Sequence, residues 1–478
     1  MNPIPILKTD SQAVNQAFRI AIGDIFSNIS PLKRGILEEE EPCLLAGMFF
    51  RYNHCFTRDI SINCWNGASL FLPDICKNSM RSVLESCDDL VLPGQGNGEY
   101  WDSISWIIGT WEHFLLTDDE DFLRESYAIS KSFMAYMEET HLGENGLFKG
   151  PSFINDGPAS FPDAYVAGCS KLDWMLTDKM QNIQCLSTNC LYYAAYITLS
   201  KMNRVLFQEA DPQALAKAAE LKDRINDCFW SQELGRYTYI ESDLQKCDRQ
   251  EAMGLALAIL YGIADQEKVE SIYANVVTTP WGIASIYPVY ERYQEGEHDQ
   301  ENFGRTCGTI WPQVNAFWAQ AALAHEKTEI FDHEFNCLTQ SAVTHEQFLE
   351  LYHPITGARY GGMQEAMGSL KHMGDETMIV EWDSRPRQTW AATAYLRMNF
   401  FGIAGMRIDE LQLSFSPYLP EGINAYSLRE LTWGNKQLDI SIRGQGGHIQ
   451  SIQINGETKN SIKREASGHF EIEIELAK

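Results

Sequence analysis

Four clusters along the chain place carboxylates beside aromatic residues and glycines rather than on solvated helix faces. The first cluster contains Arg58 and Asp59, and the second contains Trp101 and Asp102. Charged side chains beside tryptophan at a helix start can bind a polar ligand through charge-assisted hydrogen bonds. An acidic residue in such a position can equally cap a helix N-terminus. The local sequence leaves both interpretations open.

The third cluster is a long loop in which Asp156 lies between Phe153 and Phe161. An apolar environment raises the pKa of a carboxyl group, and a carboxylic acid that keeps its proton can act as a general acid. The sequence Asp156-Gly157 is also typical of an ordinary turn. Both a catalytic and a purely structural interpretation therefore apply to this loop.

The fourth cluster opens with Glu350, which we expect at a helix end, followed by Tyr352 and a Pro/Gly turn. A carboxylate in this position can act as a general base, or it can be a solvated residue of the last helical turn. The cluster continues with four further polar or aromatic candidates: Glu365, Glu381, Trp382 and Gln388.

The elements that must position these clusters are mostly helical. From residue 10 to about residue 406, apolar residues recur at the spacing of helices. We predict helices near 10–29, 62–87, 101–116, 119–139, 185–205, 211–229, 249–263, 266–276, 307–325, 329–347 and 386–401, with room for a twelfth. Long polar connections lie between several of them, and such loops are usually functional. A dozen helices with long loops on one side predicts an (α/α) barrel; the alternatives are an irregular bundle or an α-solenoid.

Beyond about residue 408 the apolar period changes from 3.6 to two, and glycines separate the short apolar segments. This pattern predicts a small antiparallel β domain. We therefore divide the chain into a helical domain at residues 1–405 and a C-terminal β-sheet domain at residues 406–478.

The composition excludes several classes of function. The chain of 478 residues has 38 basic and 65 acidic residues and a formal net charge of −27. This charge argues against binding to nucleic acid or to an anionic membrane. The N-terminus lacks the pattern of a signal peptide, and the 12 cysteines are scattered singly, as in proteins with reduced thiols. We expect a cytoplasmic protein; the sequence does not indicate its oligomeric state.

Taken together and in order, the clusters resemble segments of the inverting glycoside hydrolases with an (α/α)6 barrel, the group of the glucoamylases, the trehalases and the family 63 processing glucosidases. The matching segments are TRD at Thr57–Asp59, WDS at Trp101–Ser103, GTIWPQVN at Gly308–Asn315, ELYHPITG at Glu350–Gly357 and QTWAA at Gln388–Ala392. The resemblance covers roughly residues 50–400. It implies a mainly α fold, an (α/α)6 barrel, followed by the small C-terminal antiparallel β domain.

The resemblance also implies roles for two carboxylates. Glu350 matches the general base, and Asp156 falls where the group places its general acid, although its loop lacks the acid signatures of that group. Asp102 is similar to the trehalase acid and is a rival for that role. Glu365 and Glu381, in a long insert, are rivals for the base. Inversion requires the two carboxyl groups to stand about 6.5–9.5 Å apart, so that a water molecule fits between the base and the sugar.

The other candidates are expected to bind the sugar. Four aromatic rings would shape the pocket and stack on sugar faces: Trp101, Trp311, Tyr352 and Trp382. Polar side chains would hold hydroxyl groups: Arg58, Asp59, Asp102 and Gln388, and with them Glu365 and Glu381 where these are not the base. The expected partner is a small neutral carbohydrate, which the resemblance suggests is an α-glucoside, and no metal or other cofactor is required.

Four other functions stay open from the sequence. A disaccharide phosphorylase on the same barrel would need a phosphate pocket, which His353, Arg359 and Lys371 could supply. A sugar epimerase or a polysaccharide lyase could use the same fold, because fold alone does not choose the chemistry. A non-catalytic glycan-binding protein would bind sugar without turnover.

Overall fold

A computed structural model of the chain describes residues 2–47, 55–87, 90–94, 99–154, 157–242, 244–294, 302–366 and 378–477. The helices of this part are α1 (Gln12–Ser27), α2 (Thr57–Trp65), α3 (Pro73–Ser82), α4 (Ser105–Thr117), α5 (Glu120–His141), α6 (Asp163–Val166), α7 (Asp178–Gln181), α8 (Leu186–Phe207), α9 (Pro212–Phe229), α10 (Ala252–Leu260), α11 (Gln266–Asn275), α12 (Glu291–Gln294), α13 (Pro312–Ala324), α14 (Thr328–His345) and α15 (Thr389–Arg397).

Short strand pairs lie in the connections between helices. They are β2 (Ile29–Leu32) with β3 (Glu41–Leu44), β4 (Leu84–Cys87) with β5 (Leu90–Pro93), β6 (Gln184–Cys185) with β9 (Ile240–Glu241), β7 (Trp230–Ser231) with β8 (Arg236–Tyr237), β10 (Gln250–Glu251) with β11 (Ile286–Tyr287), and β12 (Met363–Glu365) with β13 (Ile379–Glu381). The remaining strands are β1 (Ile6–Thr9), β14 (Met406–Ile408), β15 (Gln412–Phe415), β16 (Ala425–Trp433), β17 (Lys436–Arg443), β18 (Ile449–Ile454), β19 (Ser461–Lys463) and β20 (Gly468–Leu476).

Six helices are buried along most of their length and pack in sequence order: α2 on α4, α4 on α8, α8 on α10, α10 on α13, α13 on α15, and α15 on α2 again. Their sequences explain the burial. In α10, for example, the segment AMGLALAIL is apolar on every side, and a helix of this kind must be enclosed by other elements.

A second set of helices packs outside these six: α1 on α15, α3 on α2, α5 on α4, α9 on α8 and α14 on α13. These helices are amphipathic. In α9 the buried residues Ala214, Ala218, Leu221 and Ile225 follow one stripe. The helix begins as predicted, with Pro212 in its first turn and the carboxylate of Asp211 accepting hydrogen bonds from two backbone N–H groups. Among the helices of the described ranges, none is long and apolar enough to cross a membrane.

Two details of the helical prediction are wrong. The single helix expected at 62–87 is the pair α2 and α3, because the left-handed Gly67 (φ 100°) follows the end of α2 and Pro73 begins α3. Glu350 was expected at a helix end, but α14 ends at His345. Glu346 takes a left-handed conformation there (φ 55°), and Glu350 lies in the loop beyond it.

The predicted change to short alternating strands after residue 408 is confirmed. The main C-terminal sheet has the strand order β1-β16-β17-β20-β18, and β14, β15 and β19 form a smaller sheet. The pairs are antiparallel as expected, except that β17 and β20 run parallel. The edge strand β1 comes from the N-terminus of the chain and pairs with β16, which the sequence analysis did not predict.

Candidate active site

A cavity of about 470 Å³ opens where the N-terminal ends of α2 and α15 meet the loops that precede α13 and follow α14. Its walls bring together parts of the chain that are far apart in sequence. The lining residues are Ala46, Phe56, Arg58, Asp59, Glu99, Lys171, Leu172, Met175, Arg305, Glu350, Trp382, Gln388 and Trp390. Residues of the first and fourth sequence clusters therefore share one cavity with Glu99, which lies two residues before Trp101 of the second cluster.

Arg58 links several of these clusters. It lies in the first turn of α2 and is 5% exposed. Its Nη1 is 3.6 Å from Asp102 Oδ2, in the second cluster, and donates a hydrogen bond to the Phe153 carbonyl, in the third, at 3.3 Å. Its guanidinium carbon is 5.4 Å from the centroid of the Trp390 ring. Asp59, the next residue, is equally buried and lines the same cavity.

Glu350 is held at the cavity wall by a buried arginine and by the backbone. Arg305 Nη2 is 2.7 Å from Glu350 Oε1, and the side chains are 2% and 5% exposed. The backbone N–H of Arg385 donates to Glu350 Oε2 at 3.1 Å, while the Glu350 N–H donates to the Arg385 carbonyl at 2.8 Å. Each carboxylate oxygen has two acceptor positions, so both oxygens keep acceptor capacity for a water molecule.

The arginine that pairs with Glu350 is itself fixed by aromatic rings. The guanidinium carbon of Arg305 is 5.4 Å from the Trp382 ring centroid and 5.7 Å from the Trp311 centroid. Trp311 also donates from Nε1 to the Arg305 carbonyl at 2.9 Å. Trp382 lines the cavity, so one face of this arrangement is accessible to a ligand.

Gln388 links the backbone at Ala46 to Trp390 at the start of α15. In the amide orientation that satisfies both neighbours, its nitrogen donates to the Ala46 carbonyl at 3.2 Å and its oxygen accepts from Trp390 Nε1 at 3.2 Å. All three residues line the cavity. The side chain that was expected to hold a sugar hydroxyl is thus held in a fixed position on the wall.

The structure does not place Trp101, Trp311 and Tyr352 on the cavity surface. They are 1%, 0% and 1% exposed, and their rings are used in packing. Trp101 packs edge-on against Trp174 at 5.7 Å between centroids, and Trp311 against Trp390 at 5.6 Å. The Tyr352 hydroxyl accepts a hydrogen bond from the Leu349 N–H at 2.9 Å. Of the four rings expected to stack on sugar, only Trp382 lines the cavity.

The rival bases lie elsewhere. Glu365, on β12, is buried and accepts hydrogen bonds from the Tyr293 hydroxyl at 3.0 and 2.8 Å and from Arg292 Nε at 3.3 Å. Glu381, on β13, is exposed and pairs with Met363. Neither is among the residues that line the cavity, whereas Glu350 is.

The two candidate acids are placed differently. Asp102 is 5% exposed and lies beside Arg58, but it is not among the cavity-lining residues. Asp156 lies outside the described residues. On its N-terminal side, Phe153 is fixed: its N–H donates to Ser187 Oγ at 2.9 Å, and its carbonyl accepts from Arg58. On its C-terminal side, a Cβ at Gly157 would collide with Gln364 Oε1.

A buried carboxyl group supports the segment that precedes Asp156. Glu251 is 2% exposed and accepts hydrogen bonds from the Ser187 backbone N–H at 3.1 Å and from the Ser187 hydroxyl. Burial raises its pKa to about 7, although the hydrogen bonds from Ser187 and Ser152 lower it. Through Ser187, this group is connected to the Phe153 N–H.

Sequence reasoning missed several residues of the cavity: Glu99, Lys171, Leu172, Met175, Arg305 and Trp390. A usable signal existed for Arg305, which closes a long polar loop three residues before GTIWPQVN. Glu99 lies two residues before Trp101 of the WDS segment and was overlooked beside Asp102. Nothing in the local sequence distinguishes Lys171 and Leu172, because only the tertiary fold brings them to the cavity.

Comparison with known families identifies the chain. Residues 102–366 match the family described as the mannosylglycerate hydrolase MGH1-like glycoside hydrolase domain. Residues 406–459 match the C-terminal domain of glycosyl hydrolase family 65. The first match covers more than half of the chain, so the chain belongs to the MGH1-like glycoside hydrolase domain family. The resemblance to the (α/α)6 inverting glycosidase group is thereby confirmed. No curated protein matches the chain in sequence.

Solved structures share this fold at low sequence identity. A protein titled "Sialidase" superposes with a TM-score of 0.70 at 13% identity, over 95% of this chain and 40% of its own. The GH78 rhamnosidase of Bacillus sp. GL1 superposes with a TM-score of 0.56 at 12% identity, over 99% of this chain and 44% of its own. The GH63 mannosylglycerate hydrolase of Thermus thermophilus, in complex with glucose, superposes with a TM-score of 0.57 at 13% identity. The match covers 79% of this chain and 98% of that enzyme. The chain thus spans less than half the length of the first two structures.

Proposed function

We propose that the chain hydrolyses a glycosidic bond in a small neutral oligosaccharide or glycoside, with inversion at the anomeric carbon. This proposal rests on the position of Glu350, which lines the cavity of about 470 Å³ and is held there by Arg305 and by the backbone of Arg385. Of the three glutamates considered as the base, Glu350 alone has this position.

The same proposal includes the domain organisation. The six enclosed helices would be the inner ring of an (α/α)6 barrel, and the amphipathic helices outside them would be the outer ring. This is supported by the return of the packing sequence from α15 to α2. The helical domain would span residues 1–405 and the β domain residues 406–478, to which β1 adds an edge strand.

Glu350 would act as the general base. In an inverting hydrolase the base is ionised and removes a proton from the water that attacks the anomeric carbon. A guanidinium at 2.7 Å and a backbone N–H at 3.1 Å stabilise a negative charge on this carboxylate and fix its direction. Proton transfer by a positioned group of this kind contributes about 10²–10⁴-fold to the rate.

Asp156 would act as the general acid and donate its proton to the glycosidic oxygen. Its support is indirect: the neighbouring Phe153 is hydrogen-bonded to Arg58, which lines the cavity, and Gly157 is in close contact with Gln364. Asp102 is the rival, and its contact with Arg58 gives it a competing role as the partner of that guanidinium.

The charges of the cavity suit an uncharged, hydroxyl-rich ligand. Three cationic side chains and three carboxylates line it: Arg58, Lys171 and Arg305, with Asp59, Glu99 and Glu350. Such a balanced set offers many donors and acceptors without a net attraction for an anionic polymer. An α-glucoside is the substrate we propose first, in line with the motif resemblance; one structure of the related GH63 enzyme is titled as a complex with glucose.

The phosphorylase alternative depends on His353, Arg359 and Lys371, and the two of these that the structure describes do not line the cavity. Arg359 is paired with Asp383 at 2.7 Å and is 41% exposed, and His353 is not among the lining residues. Lys371 lies outside the described residues. Phosphate dependence of turnover separates the two chemistries.

The test is a screen of aryl glycosides and natural disaccharides, each with and without inorganic phosphate, using the wild-type chain and Glu350→Gln. The proposal predicts phosphate-independent release of sugar by the wild type and a loss of at least 10²-fold in the variant. Phosphate-dependent turnover would support the phosphorylase, and sugar binding without turnover would support a non-catalytic protein.

A further inference from the structure

A second cavity, of about 250 Å³, lies at the other end of the enclosed helices, next to the C-terminal β domain. The C-terminal ends of α2 and α15 contribute Trp65 and Arg397, and β14 contributes Arg407. The start of α15 lines the first cavity, and its end lines the second. The nine residues of this helix rise about 12 Å, so the two cavities are distinct.

Arg397 is a buried cation with unused hydrogen-bonding capacity. It is 4% exposed, and its Nη1 donates to the Trp65 carbonyl at 3.0 Å and to Asn66 Oδ1 at 3.4 Å. Its guanidinium carbon is 4.0 Å from the Phe317 ring centroid. Its Nε is buried and has no hydrogen-bond partner within the described part of the chain.

Arg407 supplies a second guanidinium to the same cavity. Its Nη1 donates to the carbonyls of Phe401 at 2.5 Å and Met406 at 3.2 Å. Within the ranges that the structure describes, no carboxylate oxygen lies within 4 Å of the guanidinium of Arg397 or Arg407. Burial lowers the pKa of Arg397 to about 10 and lowers the pKa of Arg407 as well. Burying a guanidinium group with no carboxylate in contact is costly.

Two carboxyl groups also line this cavity, those of Glu112 and Asp409. The attraction of Glu112 opposes the fall in the pKa of Arg397. Burial raises the pKa of Glu112 to about 7, against the opposing effects of Arg397 and Lys201, so that this group is largely protonated below that pH. Asp409 is exposed and accepts hydrogen bonds from the backbone N–H groups of the following loop, at 2.7 and 2.9 Å. While Glu112 holds its proton, the lining residues carry two guanidinium groups against the single carboxylate of Asp409, in a chain whose net charge is −27.

We propose that this second cavity binds a small oxyanion, a carboxylate or a phosphate group, between Arg397 and Arg407. Guanidinium groups match both oxyanions through paired N–H donors, and backbone carbonyls occupy only Nη1 of each arginine in the described structure. Gln320 Oε1 is buried at the same cavity without a partner in the described residues. It would accept a hydrogen bond from a hydroxyl group of the same ligand.

The experiment is calorimetric titration of the full chain with inorganic phosphate and, separately, with acetate, at low ionic strength. We expect binding at one site by at least one of the two anions, and their relative affinities identify the preferred oxyanion. Arg407→Met should weaken this binding at least tenfold. Arg443→Met, which removes an exposed arginine from β17 in the same domain, should leave it unchanged.

Two further variants keep the test decisive. Arg407→Lys retains the charge but not the paired donors; it should weaken binding at least threefold, and it replaces Arg407→Met if that variant does not fold. Lys171→Met removes a cation from the first cavity. Binding that survives both Arg407 variants but is lost in Lys171→Met would place the anion in the first cavity and overturn the proposal, as would the absence of binding by both anions.

Discussion

Arg305 and Glu350 form a buried ion pair on the wall of the candidate active-site cavity, with 2.7 Å between Nη2 and Oε1. The pair joins the loop before α13 to the loop after α14, and the Trp382 ring lies 5.4 Å from the guanidinium carbon. A carboxylate held in this way has little freedom to rotate. Arg305 therefore sets the position from which we propose that Glu350 acts.

Removing Arg305 should destabilise the fold strongly. Arg305→Met leaves the Glu350 carboxylate buried without its counter-ion, and breaking a buried pair in this manner costs about 3–5 kcal/mol. The free energy of unfolding, measured by urea denaturation with tryptophan fluorescence, checks the value. The matched control is Arg359→Met, which breaks the exposed pair with Asp383 and should cost only about 0–1 kcal/mol. Equal losses in the two variants would show that the Arg305 pair has no special strength.

The two proposed catalytic carboxylates should be essential for turnover and not for folding. Glu350→Gln and Asp156→Asn should each lower kcat by about 10²–10⁴-fold while the circular dichroism spectrum stays unchanged. Glu381→Gln is the control, because Glu381 is exposed on β13 and does not line the cavity; it should keep nearly full activity. A large loss in Glu381→Gln with normal turnover in Glu350→Gln would transfer the base role to Glu381.

Turnover should be sensitive to substitution of Gly362, which packs against the backbone of Arg305. Gly362 has φ 77°, and a Cβ there would collide with Arg305 Cα and lie 2.6 Å from Arg305 N. Gly362→Ala must therefore displace the backbone that carries Arg305, and we expect at least a tenfold loss of kcat.

Gly456→Ala is the control for this substitution. Gly456 also has a positive φ, 75°, but no atom lies within 4 Å of the position that a Cβ would take there. Both variants bear the left-handed strain of about 1–2 kcal/mol, but Gly456→Ala should keep wild-type kcat. Wild-type kcat in Gly362→Ala would show that the backbone of Arg305 tolerates displacement.

A buried carboxyl group should make stability fall as pH rises. Glu334 accepts hydrogen bonds from Asn315 Nδ2 at 2.5 Å and from the Ile283 N–H at 2.8 Å, yet burial raises its pKa to about 7. The folded chain therefore holds this proton more tightly than the unfolded chain, whose glutamate titrates near its ordinary pKa. Its contribution to stability is complete below the unfolded pKa and is lost as pH rises through about 7.

The measurement is the unfolding free energy of the wild type and of Glu334→Gln from about pH 4 to about pH 8. Glutamine does not ionise. From the low to the high end of this range, the unfolding free energy of the variant should therefore rise relative to that of the wild type by on the order of 3 kcal/mol. A difference between the two proteins that does not change with pH would contradict a raised pKa for Glu334.

The helical part of the fold could be predicted because its signals are local. Apolar periodicity and the cap at Asp211-Pro212 define α9 without tertiary information. The error at residues 62–87 arose because the apolar residues of α2 and α3 continue one pattern across Gly67 and Pro73. The parallel pairing of β17 with β20 has no local signal, since strand direction depends on the order of strands in the sheet.

The candidate site was predictable only in part, for a related reason. Carboxylates in Gly-rich aromatic loops pointed to Glu350 and Asp59, and both line the cavity. Sequence alone could not separate an aromatic ring that faces a ligand, such as Trp382, from one that supports a neighbour, such as Trp311 beneath Arg305. Ion-pair partners were equally hidden, because Arg305 and Glu350 are 45 residues apart.

Inverting hydrolysis in the cavity that contains Glu350 determines the anomer of the first-formed product. Proton NMR, recorded within the first minutes of turnover of an α-glucoside, resolves the two anomers before they interconvert. We expect β-glucose to appear first and then to equilibrate with α-glucose. Initial release of α-glucose would show retention and would contradict the roles proposed for Glu350 and Asp156.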